Sequence, residues 1–300
     1  MSEVLPSLGF IGLGLMGQPL CKRLLDAGFQ LNIWNRTPSK AKKLAIYGAR
    51  QLSSPAEVVK TSEIICLCVT DTTSVQQLLD QREGLLEALQ PGQLIVDFSS
   101  IAPQATRQFS EQVRKRGADW VDAPVSGGVQ GAELGQLAIM CGGSPSSLDR
   151  LQAVFAPLAR QVTRVGEVGS GQVAKIGNQM LVSCNALVIA EMLALAEASG
   201  IETQQLPAAF AGGFADSLPL QILAPRMTAK DYANPKWTTK TLLKDLQLAA
   251  DLARQEEQAT PMSNLAAQLM RMQATQGRLE EDPATLVELY RNGSQPGKTE

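Results

Sequence analysis

Between residues 8 and 165, short and almost continuously apolar runs alternate with amphipathic stretches. The apolar runs fall at 8–11, 31–34, 64–69, 94–98, 120–123, 137–141 and 162–165. Between them, 19–27, 39–47, 75–79, 103–115 and 146–155 carry apolar residues at helical spacing. A strand that is apolar at successive positions is buried on both faces, so this alternation predicts an α/β fold, a doubly wound, mainly parallel sheet of Rossmann type. From Gly171 the pattern changes. Segments 172–199, 205–211, 238–255 and 264–273 are rich in Ala, Leu, Met and Gln at 3.6-residue spacing, with no strand-like alternation. The second half is expected to be all-α, opening with one long helix from about residue 171, and the domains to divide as 1–166 and 167–300. No repeat of fixed period is present, and the polar tail 292–300 is expected to be disordered.

Composition narrows the chemistry. At 300 residues and 44% hydrophobic the chain can bury two cores, and a net charge of −2 supplies no basic field to attract nucleic acid or an anionic membrane. Histidine is absent, which removes Ser–His triads, His zinc ligands and the His–carboxylate pairs of many dehydrogenases. Any proton transfer then falls to Lys, Tyr, Asp, Glu or Cys. The cysteines at 21, 66, 68, 141 and 184 form no C-x-x-C; Cys66 and Cys68 sit inside an apolar run and are expected to be core. No metal site is expected, and a reducing cytoplasm is the expected location. Residues 1–8 carry Glu3 and no basic start, so they do not read as a signal peptide. The apolar stretch 181–198 is interrupted by Asn185, Glu191 and Glu197 and reads as a buried helix instead of a membrane span.

The first strand runs directly into Gly12-Leu13-Gly14-Leu15-Met16-Gly17 and then a helix. The first glycine permits a tight turn, the second lets the backbone approach a pyrophosphate, and the third lets helix and strand pack closely. The loop, Leu13, Leu15 and Met16 included, is expected to cradle a dinucleotide at the helix N-terminus. About 20 residues further on, an NAD site usually places an acid against the ribose 2′-hydroxyl. Here the turn reads Asn35-Arg36-Thr37. With no carboxylate to repel a 2′-phosphate, Arg36 to pair with it, and Asn35 and Thr37 to donate hydrogen bonds, NADP(H) is expected in preference to NAD(H), which stays possible.

Three features compete for the acid–base role. Tyr232 and Lys236 have the Tyr-x-x-x-Lys spacing of a known dehydrogenase pair, but Pro235 places them on a loop, so the pair reads as coincidence. Lys175 lies one turn inside the predicted long helix, with Gly171, Asn178 and Gln179 on the same face. Glycine there is expected to clear space above the lysine, and an apolar setting near a helix start would disfavour its charge. The third feature, Asp122-Ala-Pro-Val-Ser126-Gly127-Gly128, follows a strand and offers a hydroxyl and exposed N–H groups to a substrate carboxylate.

These motifs, with Gly169-Ser-Gly-x-x-x-Lys175-x-x-Asn178 and Lys244-Asp245-Leu246, resemble in order and spacing the β-hydroxyacid dehydrogenase family, relatives of 6-phosphogluconate dehydrogenase. The family includes 3-hydroxyisobutyrate dehydrogenase and the tartronate semialdehyde, glyoxylate and succinic semialdehyde reductases. The resemblance implies Lys175 as the catalytic residue and Ser126, Gly127, Gly128, Asn178 and Gln179 as substrate-binding. It also places Val69, Thr70, Ser74 and Ser100 beside the nicotinamide and Lys244 on the cofactor. Gln179 replaces the second of the usual Asn-Asn pair, a variant that looks like the tartronate semialdehyde reductase branch, as does Gly212-Gly-Phe-Ala-Asp-Ser217. Val69-Thr70 replaces a more usual Leu-Pro. The implied activity is reduction of a short semialdehyde or oxoacid by NADPH. The implied partner is a small carboxylate-bearing substrate in a cleft between the domains, and the implied assembly a homodimer or homotetramer. The rivals are an NAD-linked 3-hydroxyisobutyrate or L-serine-type dehydrogenase and a non-catalytic cofactor-binding scaffold.

Overall fold

A computed structural model describes residues 5–233, 235 and 237–291. Residues 1–4, where a leader was not expected, Lys236 of the Tyr232 pair, and the tail 292–300 lie outside the described residues. The chain divides into two compact units, Met1–Lys175 and Ile176–Glu300.

In the first unit the elements run β1 (Leu8–Ile11), α1 (Gly17–Asp26), β2 (Leu31–Trp34), α2 (Pro38–Ala45), β3 (Arg50–Gln51), α3 (Pro55–Lys60), β4 (Ile64–Leu67), α4 (Thr72–Asp80) and α5 (Leu85–Ala88). They continue with β5 (Leu94–Asp97), α6 (Pro103–Arg114), β6 (Asp119–Asp122), β7 (Val125–Ser126), α7 (Gly128–Leu134), β8 (Leu137–Gly142), α8 (Pro145–Asp149), α9 (Gln152–Phe155) and β9 (Ala159–Gly166). Strand order is β3-β2-β1-β4-β5-β6-β8-β7, with β9 beside β8. The strands from β1 to β6 pair in parallel, and β8 is antiparallel to β6 and β7. This is the doubly wound sheet that the apolar runs predict.

The alternation of side chains along each strand builds two cores. Leu8, Phe10, Ile64, Cys66, Leu94 and Val96 enter one face of the sheet, and Ile11, Ile65, Leu67, Ile95 and Trp120 the other. Each fully buried Leu, Ile or Phe contributes roughly 1.5–3 kcal/mol. Burial pushes the Cys68 thiol up to about 12 and that of Cys66 still higher. Cys66 is a core group, as expected, while Cys68 is half-buried against the same core, and neither is a thiolate. Missed by periodicity are β3, β7, α3, α5 and α7, all too short to show a period, and 146–155 is two short helices instead of one.

The long helix α10 (Ser170–Ala198) starts in the first unit and continues into the second. The second unit adds α11 (Leu206–Phe210), α12 (Leu218–Ala229), α13 (Thr239–Gln255), α14 (Pro261–Thr275) and α15 (Glu288–Arg291), with no strand among the described residues. Ala186, Leu187, Ile189, Ala190 and Leu193 of α10 pack with Leu220, Leu223, Leu242, Leu246 and Met270. The reading of 181–198 as a buried helix needs correction. Leu181, Val188 and Leu195 recur at seven-residue intervals and stay exposed, so α10 is buried on one side only. By length and composition alone it would suffice to cross a membrane; its other side belongs to the core of the helical unit.

Candidate active site

The glycine loop follows β1 at the C-terminal edge of the sheet, where strand order turns from β1-β2 to β1-β4. In open α/β sheets that switch point is where ligands bind. Gly12 has φ +101°, and a Cβ there would lie 2.2 Å from the Cys68 carbonyl oxygen. One on Gly17 would lie 2.0 Å from the Gly12 carbonyl oxygen, whereas beside Gly14 there is open space. Tight turn, open approach and close packing are thus distributed over the three glycines as the motif requires. α1 has no acid in its first turn and Met16 gives it no side-chain cap, which leaves its start suited to an anion. Leu13 is buried and Leu15 exposed.

At the end of β2, the Asn35 carboxamide is committed internally. Its Oδ1 accepts from the Leu13 N–H at 2.8 Å and its Nδ2 donates to the Thr37 carbonyl at 3.0 Å. Asn35 therefore ties the glycine loop to the turn, and the Leu13 N–H is directed at it. Arg36 and Thr37 are exposed on that turn, followed by Ser39 and Lys40, also exposed.

Val69 and Thr70 follow β4, and Ser100 follows β5, at the same sheet edge. The Val69 N–H donates to Ser99 Oγ at 2.9 Å. Ser74 uses both its N–H and its hydroxyl on Asp71 Oδ1, which caps α4. Ser126 is half-buried at the end of β7, opposite Ala138 of β8. Gly127 (φ +131°) and Gly128 are exposed and turn the chain into α7.

Lys175 is half-buried on α10 near its start. Asn178, one turn on, has a buried Oδ1 without a hydrogen-bond partner among the described residues. The Gln179 side chain donates to Asp245 Oδ2 at 2.6 Å, and Lys244 Nζ lies 3.2 Å from Asp245 Oδ1. The buried Asp245 thus fastens Gln179 and Lys244. Tyr232 donates to Glu288 Oε1 at 2.5 Å, and burial, then that carboxylate, pushes its hydroxyl well above the usual range.

Two buried carboxylates were given no role from sequence. Asp97 and Asp122 end β5 and β6 in direct register, both fully buried. Asp122 accepts from the Gly169 N–H at 2.7 Å and the Gln172 N–H at 2.9 Å. Burial raises its pKa to about 6, opposed by the backbone N–H groups of Gly169 and Gln172. Asp97 is raised to about 7, by burial first, against the hydrogen bonds of Ser99; charge on Asp122 adds to the rise. Asp97 Oδ2 has no partner among the described residues, which disfavours its charged form further. The available signal was Asp122 standing at a strand end ahead of Ala-Pro. Gln172 gave none.

Residues 7–166 match the family described as the NAD binding domain of 6-phosphogluconate dehydrogenase. Residues 169–290 match the family described as NAD-binding of NADP-dependent 3-hydroxyisobutyrate dehydrogenase. The chain is 36% identical over 281 residues to 2-hydroxy-3-oxopropionate reductase of Escherichia coli, covering 94% of this chain and 96% of that protein. It is 32% identical over 290 residues to NAD-dependent L-serine dehydrogenase of Pseudomonas aeruginosa, covering 94% and 97%. Among solved structures, 3-hydroxyisobutyrate dehydrogenase of Mycobacterium tuberculosis with L-serine superposes with a TM-score of 0.88 at 27% identity, over 96% of this chain and 100% of the other. Psf3 in complex with NADP+ and 2-OPP gives 0.85 at 27%, over 94% and 99%.

Proposed function

The chain belongs to the 3-hydroxyisobutyrate dehydrogenase family of nicotinamide-dependent oxidoreductases acting on CH–OH groups, and from that premise we propose an NADP(H)-dependent reductase. Its substrate is a short semialdehyde or oxoacid of the tartronate semialdehyde, glyoxylate or succinic semialdehyde type, and its product the hydroxyacid. The observation that carries this reading is Lys175 on the opening turns of α10, in one compact unit with the glycine loop and the Ser126–Gly128 turn. No histidine in the chain competes for the role of acid.

NADPH, when bound, supplies the hydride for the carbonyl carbon. Lys175 Nζ donates the proton to the carbonyl oxygen as charge develops there. The Ser126 hydroxyl and the N–H groups of Gly127 and Gly128 hold the substrate carboxylate. Asn178, with its unsatisfied buried oxygen, orients the substrate, and Gln179 and Lys244 complete the set through Asp245. On the cofactor, Gly12, Gly14 and the start of α1 take the pyrophosphate, with Leu13, Leu15 and Met16 in the loop. Arg36 and Thr37 take the 2′-phosphate while Asn35 holds their turn, and Val69, Thr70, Ser74 and Ser100 flank the nicotinamide. Residues 1–166 form the dinucleotide-binding domain and 167–300 the substrate and oligomerisation domain. A homodimer or homotetramer in the cytoplasm covers the exposed Leu181, Val188 and Leu195.

The test is the initial rate of NADPH oxidation with tartronate semialdehyde, glyoxylate and succinic semialdehyde, beside NADH and beside Lys175→Ala. NADPH-preferring turnover that falls about 10²–10⁴-fold in the variant is expected. Activity that survives in Lys175→Ala removes it as the acid. The relative acting on L-serine favours a second reading, NAD-linked oxidation of a hydroxyacid. Faster reduction of NAD+ by L-serine or 3-hydroxyisobutyrate than oxidation of NADPH by any of the three aldehydes would select it.

A further inference from the structure

We propose that Asp122, acting with Gln172, is the positioning group for Lys175: its ionised carboxylate clamps the first turn of α10 to the ends of β5 and β6 and thereby fixes where the lysine stands. This rests on the reading of Lys175 as the acid.

The opening N–H groups of a helix have no partner within it. In α10 those of Gly169 and Gln172 are met by one carboxylate oxygen each from Asp122, a residue distant in sequence. An anion there also faces the positive end of a helix dipole. Two glycines leave the carboxylate its room. A Cβ on Gly142 would lie 2.5 Å from Asp122 Oδ1, and one on Gly171 would lie 2.8 Å from Oδ2 and 2.5 Å from the Met140 carbonyl oxygen. Gly171, expected to clear space over the lysine, clears it for this carboxylate. Sealed in this way, Asp122 does not touch substrate; it acts through the helix.

Gln172, also buried, is the second fastening. Its Oε1 accepts from the Ile101 N–H at 3.1 Å and its Nε2 donates to the Ser99 carbonyl at 2.8 Å. Ser99 Oγ in turn accepts from the Val69 N–H. The loops after β4 and β5, expected to flank the nicotinamide, and the helix carrying Lys175 are thus referenced to a single hydrogen-bonded hub. Lys175 follows Gln172 by less than one turn.

The groups facing Asp122 are Asp97 from β5 and Cys141 from β8. Cys68 is within electrostatic reach of Asp97. Over Gly169 stands the Arg107 side chain of α6, and the exposed Arg164–Glu167 pair precedes α10. Asp97 has Ser99 as its donor and, among the described residues, an orphan oxygen, whereas both Asp122 oxygens accept from a backbone N–H, so of the two Asp122 is the better held as an anion. Protonation of Asp122, half complete near pH 6, would turn one acceptor oxygen into a hydroxyl facing an N–H and release half the clamp.

The test is Asp122→Asn, which keeps the shape and sets an NH2 against an N–H. Amide hydrogen exchange at Gly169 and Gln172 is expected to quicken by at least about tenfold. The rate at which an N-hydroxysuccinimide ester acylates Lys175, read by peptide mass spectrometry, should change by at least about threefold, and kcat should fall about a hundredfold. KM for NADPH should stay within about twofold, and the loss of kcat expected of the native protein below about pH 6 should be absent. Unchanged kcat, unchanged Lys175 acylation, or a retained acid limb overturns the proposal. If the native protein reduces none of the three aldehydes, the functional reading falls, while the exchange and acylation arms still decide the clamp. If Asp122→Asn does not fold, Gln172→Met, which removes the second fastening at similar volume, takes its place; unaltered acylation and kcat there overturn the proposal equally.

Discussion

At the scale of single residues, the roles of Arg36 and Asn35 separate. Sequence groups them as donors to a 2′-phosphate, but the Asn35 amide is bonded to Leu13 and Thr37, which leaves Arg36 as the charged group of the proposed 2′-phosphate site. Hydrogen bonds to charged groups contribute about 1.5–3 kcal/mol. Arg36→Ala is therefore expected to raise KM for NADPH about 10–100-fold and leave that for NADH unchanged, as initial rates with both cofactors would show. Gly171 makes a second case. A methyl group there meets the Met140 carbonyl oxygen at 2.5 Å, a backbone atom that has no room to yield. Gly171→Ala should cost about 1–3 kcal/mol in urea unfolding, although alanine is the better helix former. Helical spacing located Lys175, Asn178 and Gln179 in the sequence; what Gly171 approaches depends on β6 and β8, which lie far from it along the chain.

At the scale of elements, long periodic segments were legible and the one with a proline in its interior was not. Residues 218–229 form α12 despite Pro219 and Pro225. Pro219 sits in the first turn, where its missing N–H is no loss. Pro225 lies inside the helix and removes a backbone bond. Burial of Leu220, Leu223, Ala224 and Met227 outweighs that cost. The same helix carries Arg226, whose Nη1 lies 2.6 Å from the fully buried Asp282 Oδ2. Asp282 also accepts from the Ala284 N–H. Asp282→Ala leaves the mostly buried guanidinium with only the more exposed Asp231 carboxylate at 3.7 Å and the Ala233 carbonyl and should destabilise the helical unit by about 2–3 kcal/mol, measured by urea denaturation of the whole protein. A sequence pattern gives no sign of that pair, because its members belong to different elements of the second unit.

At the scale of the whole molecule, the carboxylates at the strand ends make stability depend on pH. The Asp97 pKa is raised in the fold from an ordinary 3.8 to about 7. The folded chain therefore holds a proton that the unfolded chain has lost. Stability from this group is full below about pH 4 and is lost as pH rises through 7. Asp97→Asn should accordingly raise Tm at pH 8 relative to the native protein and change it less at pH 5, by calorimetry at both. On the surface of the helical unit, the exposed Leu181, Val188 and Leu195 stripe sets another expectation. If the proposed homodimer or homotetramer covers this stripe, Val188→Glu should shift it towards monomer in light scattering, because a charge buried in that contact would stay unpaired.

The sequence by itself determined the fold class, the glycine loop and the family to which the chain belongs. Each is written in local spacing: apolar runs in alternation, glycines a fixed interval apart, motifs in a fixed order. It also placed Lys175 on a long helix, because 3.6-residue periodicity is local as well. Only the tertiary structure decided that Asp122 receives the start of α10, that Asn35 is turned inward, and that α10 keeps one apolar side exposed. Hydrogen bonds and burial between distant segments depend on where the sheet and the helices bring the backbone together, and no spacing along the chain encodes that.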